Sequence, residues 1–313
     1  MTQPLALGID IGGTNTCFGI VDRRGQILSQ GRMPTSVYKT VQEYIGALCK
    51  EVSLFIDEAG NENVIGVGVG APNGNFFTGE IANAANLPWG GVIPLAKLIG
   101  DILHKKVTVT NDANAAAIGE MMYGAAKGMK DFIVVTLGTG VGSGFVANGQ
   151  LIYGHDGFAG ELGHVIAVRD GRSCGCGRRG CLETYASATG IVRSANEWLA
   201  EREDETLLRK DKGLLTSQHI FEAAEKGDAM ALELFEYTGK ILGQTLADAV
   251  AITSPEAIIF FGGLAKAGDM LMRHVQRYTE ANLLNVYKNK VSLLYSALPN
   301  ADAAILGASA LVW

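Results

Sequence analysis

Several familiar signals are missing from this chain. The apolar runs near 64–70 and 257–261 fall far short of the about 18 residues that a membrane helix needs. The start, MTQPLALGID, has no basic leader and no cleavage pattern, so it does not read as a secretory signal. Basic residues are outnumbered, 26 to 32, giving a net charge of −6. With a pI near 5.5, a nucleic-acid-binding surface is not expected. The five cysteines are an odd count, which does not suit a disulfide framework. No GxxxxGK[ST] phosphate loop occurs. These absences predict a soluble, cytoplasmic protein that engages neither membrane nor nucleic acid.

Glycine, in contrast, is abundant. It supplies 41 of 313 residues, against a usual share of about 7%. No collagen-type repeat accompanies it, so the glycines serve turns and close backbone approaches. Hydrophobic residues make up 48% and charged residues 19%, as in a folded chain rather than a disordered one. The length suggests about two domains.

The chain also repeats itself. LALGIDIGGTNTCFGIVDRRGQIL runs from an apolar strand through Gly13-Thr14 and Gly19 to Gly25-Gln26-Ile27-Leu28. DFIVVTLGTGVGSGFVANGQLI follows the same outline through Gly138-Thr139, Gly144 and Gly149-Gln150-Leu151-Ile152. VIGVGVGAP (64–72) then pairs with AIIFFGGLA (257–265), and NDANAAAIGE (111–120) with ADAAILGASA (301–310). Each half reads as hairpin, strand, helix, strand, strand and helix, an α/β pattern with mixed sheets. Helices are predicted over 40–59, 94–103, 112–124, 184–200, 217–226, 229–252, 266–282 and 302–312. The domains are expected as 1–122 plus 301–313, a smaller N-terminal lobe, and 123–300, a larger lobe. A ligand cleft is expected between them.

The two glycine-threonine turns suggest phosphate binding. Backbone N–H groups and a hydroxyl in such a turn form an anion cradle. In the first turn these are Gly12, Gly13 and Thr14, with Asp10 placed to hold Mg²⁺. In the second they are Gly138, Thr139 and Gly140. Two such hairpins suit a polyphosphate such as ATP. Gly66-Val-Gly-Val-Gly-Ala71 matches a dinucleotide fingerprint in form only. Its glycines lie inside the strand and Pro72 follows, where a dinucleotide site turns into a helix.

A metal pattern follows. His164, Cys174, Cys176 and Cys181 form a Cys₃His set, which in four-coordinate geometry favours Zn²⁺. Four protein ligands leave no open position, so the metal is expected to be structural. It would fix His164 by one ring nitrogen and leave the other free to donate. Glu161 and Glu183 stand beside this set as acceptors for sugar hydroxyls. Arg169, Arg172, Arg178 and Arg179 read as a solvated loop surface. Cys17 and Cys49, in apolar segments, read as buried bystanders.

Asn111-Asp112 sits where a strand meets a helix. Both residue types suit an N-cap. Asp112 also suits a general base that takes a proton from an attacking hydroxyl, as phosphoryl transfer requires. Asn111 and Asn86 are candidates to hold a sugar.

Together these residues resemble the ROK family of repressors, open reading frames and kinases, from Asp10 to the final helix. The resemblance implies the actin-like, hexokinase-type ATPase fold, with two lobes and duplicated mixed-sheet cores around a central cleft. It implies phosphate motifs at Asp10–Thr14 and Leu137–Gly144, and adenosine-motif glycines at Gly262 and Gly263. Asp112 matches the base; Asn111, Glu161, His164 and Glu183 match the sugar ligands, and Asn86 does so more weakly because the loop before it varies. Repressor members carry an N-terminal helix-turn-helix domain, for which a first strand near Leu5 leaves no room. The stretch Gly175–Gly190 most resembles the family's bacterial glucokinases. The implied reaction is ATP-dependent phosphorylation of a hexose 6-hydroxyl, with ATP, Mg²⁺ and structural Zn²⁺, in a homodimer or homotetramer. N-acetylmannosamine or N-acetylglucosamine is the alternative substrate. A non-catalytic sugar sensor is the rival class, against which Asp112 and both turns argue.

Overall fold

The computed structural model describes residues 3–84, 86–211, 214–299 and 302–313. Twelve strands and nine α-helices occur among them. The first stretch holds β1 (Leu5–Ile11), β2 (Asn15–Asp22), β3 (Ile27–Pro34), α1 (Val41–Ala59) and β4 (Val64–Gly70). Next come β5 (Ile81–Ala82), β6 (Val92–Ile93), α2 (Leu95–Leu103), β7 (Val107–Thr110) and α3 (Asp112–Tyr123). The second stretch opens with β8 (Phe132–Leu137), β9 (Val141–Ala147) and β10 (Gln150–Leu151). Helices α4 (Glu183–Ala186), α5 (Ala188–Glu201), α6 (Ser217–Glu225) and α7 (Ala229–Thr253) follow. The chain ends with β11 (Ala257–Phe261), α8 (Asp269–Asn282), β12 (Ser292–Tyr295) and α9 (Ala303–Ala310).

The repeat is visible in the sheets. One runs β3-β2-β1-β4-β7 and the other β10-β9-β8-β11-β12, the same path through equivalent strands. In the first, β1 is antiparallel to β2 and parallel to β4. In the second, β9 and β10 are antiparallel, while β8, β11 and β12 are parallel. The mixed character follows from hairpins at one edge and helical crossovers at the other.

Two compact units result: Met1–Lys130 with Gly144–Gly160 and Ser296–Trp313, and Asp131–Ser143 with Glu161–Tyr295. These bounds differ from the expected ones. Residues 144–160 group with the first unit, although the sequence reading put them in the larger lobe.

In the first unit, β1 is buried almost throughout, as a central strand must be. The edge strand β3 alternates half-buried and exposed positions, with only Met33 buried. Thr40 and Glu43 close a capping box on α1, which buries Tyr44, Ile45, Leu48, Cys49, Val52 and Ile56 on one face. Helix α9 lies very close to the sheet. A Cβ at Gly68 would stand 1.9 Å from the Ala308 carbonyl, and one at Gly8 2.3 Å from that of Ile305. Gly119 and Gly307 meet in the same way between α3 and α9.

In the second unit, the long helix α7 is buried over much of its length. Gly239 and Gly243 let it approach the backbone of α8 at His274 and Val275.

Two predicted helices differ in detail. The segment 184–200 breaks at Ser187, whose extended backbone lets its side chain cap α5 at Gly190. The segment 266–282 begins only at Asp269, because Gly268 has a positive φ of 57° and ends a 3₁₀ turn there. Of the cysteines read as bystanders, Cys49 is buried but Cys17 is only half-buried. No helix among the described residues is long and apolar enough to cross a membrane.

Candidate functional site

In the first unit the sequence-predicted groups gather where β1, β4 and α3 meet. Asp10 pairs in register with Gly70 of β4. A Cβ on Gly70 would lie 3.6 Å from the Asp10 Oδ1 and 3.7 Å from the Asp112 Cα. Glycine at this position therefore lets the two acids face the same small space. Burial, then the Asp112 charge, pushes the Asp10 carboxyl up to about 7. Asp112 itself stays open to solvent, yet protein crowds its carboxyl. That loss of hydration raises its pKa, against backbone N–H groups that lower it.

Asn111 caps α3. Its Oδ1 accepts from the Asn114 N–H at 2.7 Å, and Asp112 Oδ1 accepts from the Ala113 N–H at 2.9 Å. Asn111 thus fills the capping role, with the Asp112 carboxylate beside it at the helix start. In the glycine turn, the Gly12 N–H donates to the Asn15 carbonyl. A Cβ on Gly13 would stand 2.4 Å from the Asn86 carbonyl. Asn86 is exposed and lies against the turn.

In the second unit, Gly138–Gly140 turns between β8 and β9. The Gly138 N–H donates to the Gly140 carbonyl. Two donors from the start of α5 hold the turn from below: the Ala188 N–H to Gly138 O, and Thr189 Oγ1 to Thr139 O at 2.6 Å. Gly262, at the end of β11, has a φ of 105°, and a Cβ there would stand 2.6 Å from the Leu137 carbonyl. Gly263 faces open space. A small cavity of about 70 Å³ opens beside it, lined among others by Gln218, Phe221, Phe235, Leu264 and Lys266.

The metal ligands predicted from sequence also converge. The donor atoms of His164, Cys174, Cys176 and Cys181 all lie within 4.8 Å of one another. Cys174 Sγ is 3.7 Å from His164 Nδ1, and the Cys176 and Cys181 sulfurs are 3.6 Å apart. A tetrahedron with zinc–sulfur arms of about 2.3 Å has edges of about 3.8 Å. The residues therefore fit Zn²⁺, whereas a disulfide needs about 2.05 Å. Nδ1 of His164 is the nitrogen that faces the sulfurs. Nε2 faces Glu161, whose Oε2 is 3.9 Å away.

Glu183 links this knot to the Gly138–Gly140 turn. Its Oε1 accepts from the Cys174 thiol at 3.0 Å, and its Oε2 lies 2.6 Å from where a Gly140 Cβ would be. Without a cation, burial and then Glu183 hold the Cys174 thiol above its ordinary range; a bound zinc ion reverses that balance. The turn carrying Glu161 and His164 is pinned by the Leu162 N–H to Ser143 Oγ. Gly163 fits where a Cβ would stand 2.0 Å from the Val141 carbonyl.

The structure corrects one expectation and adds residues. Arg172 is not on a solvated surface: it is buried and pairs with Glu197. It also donates to the Thr184 carbonyl and Ser194 Oγ and lies over the Tyr185 ring. It thereby ties the cysteine loop to α5. Sequence reasoning also missed Gly70 and Thr189. Only the alternation Gly66-x-Gly68-x-Gly70 hinted at the first.

Residues 6–313 match the ROK family. A glucokinase of Halalkalibacterium halodurans is 37% identical over 100% of this chain and 96% of its own length. An N-acetylmannosamine kinase of Escherichia coli O157:H7 is 32% identical over 97% of both chains. The solved structure of a ROK family glucokinase from Streptomyces griseus, in complex with glucose and AMPPNP, covers 98% of both chains at 33% identity with a TM-score of 0.81. The likeness runs over the full length of the chain, and this chain belongs to the ROK family.

Proposed function

We propose that this protein transfers the γ-phosphoryl group of ATP to the 6-hydroxyl of a hexose, with glucose as the preferred acceptor. The observation that carries the reading is the full-length likeness to a glucokinase crystallised with glucose and a non-hydrolysable ATP analogue. The local chemistry supports it. Asp112 accepts the proton of the attacking hydroxyl; the loss of hydration that raises its pKa also makes its carboxylate a better proton acceptor. Asn111 and Asn86 contribute to sugar binding, as do Glu161, His164 and Glu183.

The backbone of Gly12–Thr14 and of Gly138–Gly140 binds phosphate oxygens through N–H groups, which need not reorganise as charge shifts during transfer. Gly262 and Gly263 leave room for the adenosine. Asp10 is the group to hold Mg²⁺, which offsets phosphate charge when bound. His164, Cys174, Cys176 and Cys181 hold Zn²⁺, which fixes the imidazole so that Nε2 presents one defined direction.

The E. coli relative supports a second reading, in which the acceptor is N-acetylmannosamine. One assay separates them. ADP release is measured with ATP and Mg²⁺ on the zinc-loaded protein, with glucose or N-acetylmannosamine at equal concentration. Faster turnover on glucose is expected. Reaction of the acylated sugar alone overturns the substrate but keeps the mechanism, and silence with both overturns the kinase reading.

A further inference from the structure

A concavity on the second unit is not used by the phosphoryl transfer set out above. It measures about 530 Å³ and is lined by Ile166, Arg169, Asp170, Arg178 and Arg179, a volume within the usual range for small-molecule sites. Residues 165–180 hold four arginines against the single acid Asp170, in a chain whose net charge is −6. Arg172 is accounted for, since it is buried and ion-paired. The other three line the cavity, and among the described residues none has a carboxylate within ion-pair reach.

The arginines are presented from a stiff ribbon. Ile166 bridges to Cys181 and Ser173 to Arg179. The Ala167 and Val168 N–H groups both donate to the Gly180 carbonyl, and Gly180 returns a bond to Arg172 O. Gly180 packs so closely that a Cβ would stand 1.8 Å from the Val168 carbonyl. At the turn, Asp170 holds a φ of 55°, and its carbonyl accepts from Arg179 Nη2 at 3.5 Å. Little backbone ordering is left for a ligand to impose, which favours binding.

Three guanidinium groups exceed what one carboxylate ligand would satisfy. They suit a dianion with three terminal oxygens, because the guanidinium fork matches phosphate geometry. Three cations around one open concavity on an acidic chain suit a small anionic molecule rather than a track for nucleic acid.

We propose that this cavity is a second, non-catalytic site that takes a phosphate monoester through Arg169, Arg178 and Arg179. The ribbon that forms it carries Cys174, Cys176 and Cys181 and runs on from His164. Occupancy of the cavity therefore acts on the segment that holds the sugar-facing histidine. The chemical class includes the product of the reaction proposed above, so the site gives feedback by phosphorylated sugar. That last step alone rests on the kinase reading.

Direct binding tests the site without turnover. Glucose 6-phosphate and, separately, inorganic phosphate are titrated calorimetrically into the zinc-loaded full chain without ATP or glucose. Saturable binding that weakens with rising salt is expected. The double variant R169A/R179A, checked for unchanged zinc content and Tm, should lose at least about tenfold in affinity, since charge-assisted hydrogen bonds are lost. R169K/R179K should fall between, because charge remains and the fork does not. Equal affinity for both probes identifies the phosphoryl group as the part recognised and supports the site. Binding that the double variant leaves unchanged, measured again with glucose saturating the sugar site, overturns it. A chain that phosphorylates no hexose yet binds phosphate through these arginines loses the kinase reading and keeps the site.

Discussion

The two glycine-threonine turns occupy equivalent places in equivalent sheets, yet they differ in chemistry. Three residues before Gly13-Thr14 stands Asp10; three residues before Gly138-Thr139 stands Val135, fully buried. Across the sheet, Asp10 faces Gly70 and Val135 faces Phe260. One turn thus opens a polar space beside a second acid, while the other is filled with hydrocarbon. Their supports differ too. The first packs its glycine against the Asn86 carbonyl, whereas the second is held by hydrogen bonds from α5. Duplication kept the backbone cradle in both halves; the ionisable chemistry lies beside one cradle and the metal knot beside the other.

The sharpest way to break that contrast is at the base. Asp112→Asn should bind glucose as before but lose about 10²-fold or more in kcat, the usual scale for a missing general base. Equilibrium binding and single-turnover rates on the same preparation check it, and near-parental turnover would remove Asp112 from its role.

The metal side is probed next. Cys176→Ser should release the ion, measured by metal analysis of the purified protein. It should also raise KM for the sugar by about tenfold or more, the scale seen when the support of a site ligand is lost. Zinc content unchanged from the parent would exclude Cys176 from the ligand set.

A paired substitution then compares the turns directly. A Cβ on Gly13 meets the Asn86 carbonyl at 2.4 Å, but one on Gly138 meets nothing within 4 Å. Gly13→Ala should destabilise by about 1–3 kcal/mol. Gly138→Ala should stay within about 0.5 kcal/mol of the parent. Urea denaturation of both variants gives the two numbers, and equal losses would mean that the turns are supported alike.

The last comparison concerns pH. Asp10 keeps its proton in the fold up to about 7, while the ordinary carboxyl value is 3.8. Between those values the folded chain binds the extra proton, so its stability falls as pH rises through that window. Asp10→Asn should therefore raise Tm at pH 8, without ATP or divalent cations, and leave it unchanged near pH 3.5. Thermal scans across that range test it, and an offset independent of pH would assign the gain to something other than ionisation.

The repeat made the duplicated succession of strands and helices legible in the sequence, because hairpin, strand and helix recur in the same order with glycines at matching points. The Cys₃His knot was legible because soft ligands at short spacing have few other uses. Asp112 was legible only as one of two readings, since a cap and a base use the same residue at the same place. The break at Ser187 was not legible: apolar periodicity continues across it, and the cap depends on a backbone turn that the pattern does not encode. Arg172 was misread for a related reason. A loop rich in arginine looks solvated, and nothing local announced that Glu197, on α5, would draw one of the four inward.

Helix α9 carries a consequence for synthesis. It is the last helix of the chain, yet it closes the core of the first unit through Gly8, Gly68 and Gly307. A ribosome delivers β1, β4 and α3 early, and they must wait for residues 303–310 before their apolar faces are covered. The second unit has no such debt to the far end, since its residues finish at Tyr295. The half whose synthesis starts first therefore closes only after the residues of the second unit have been made.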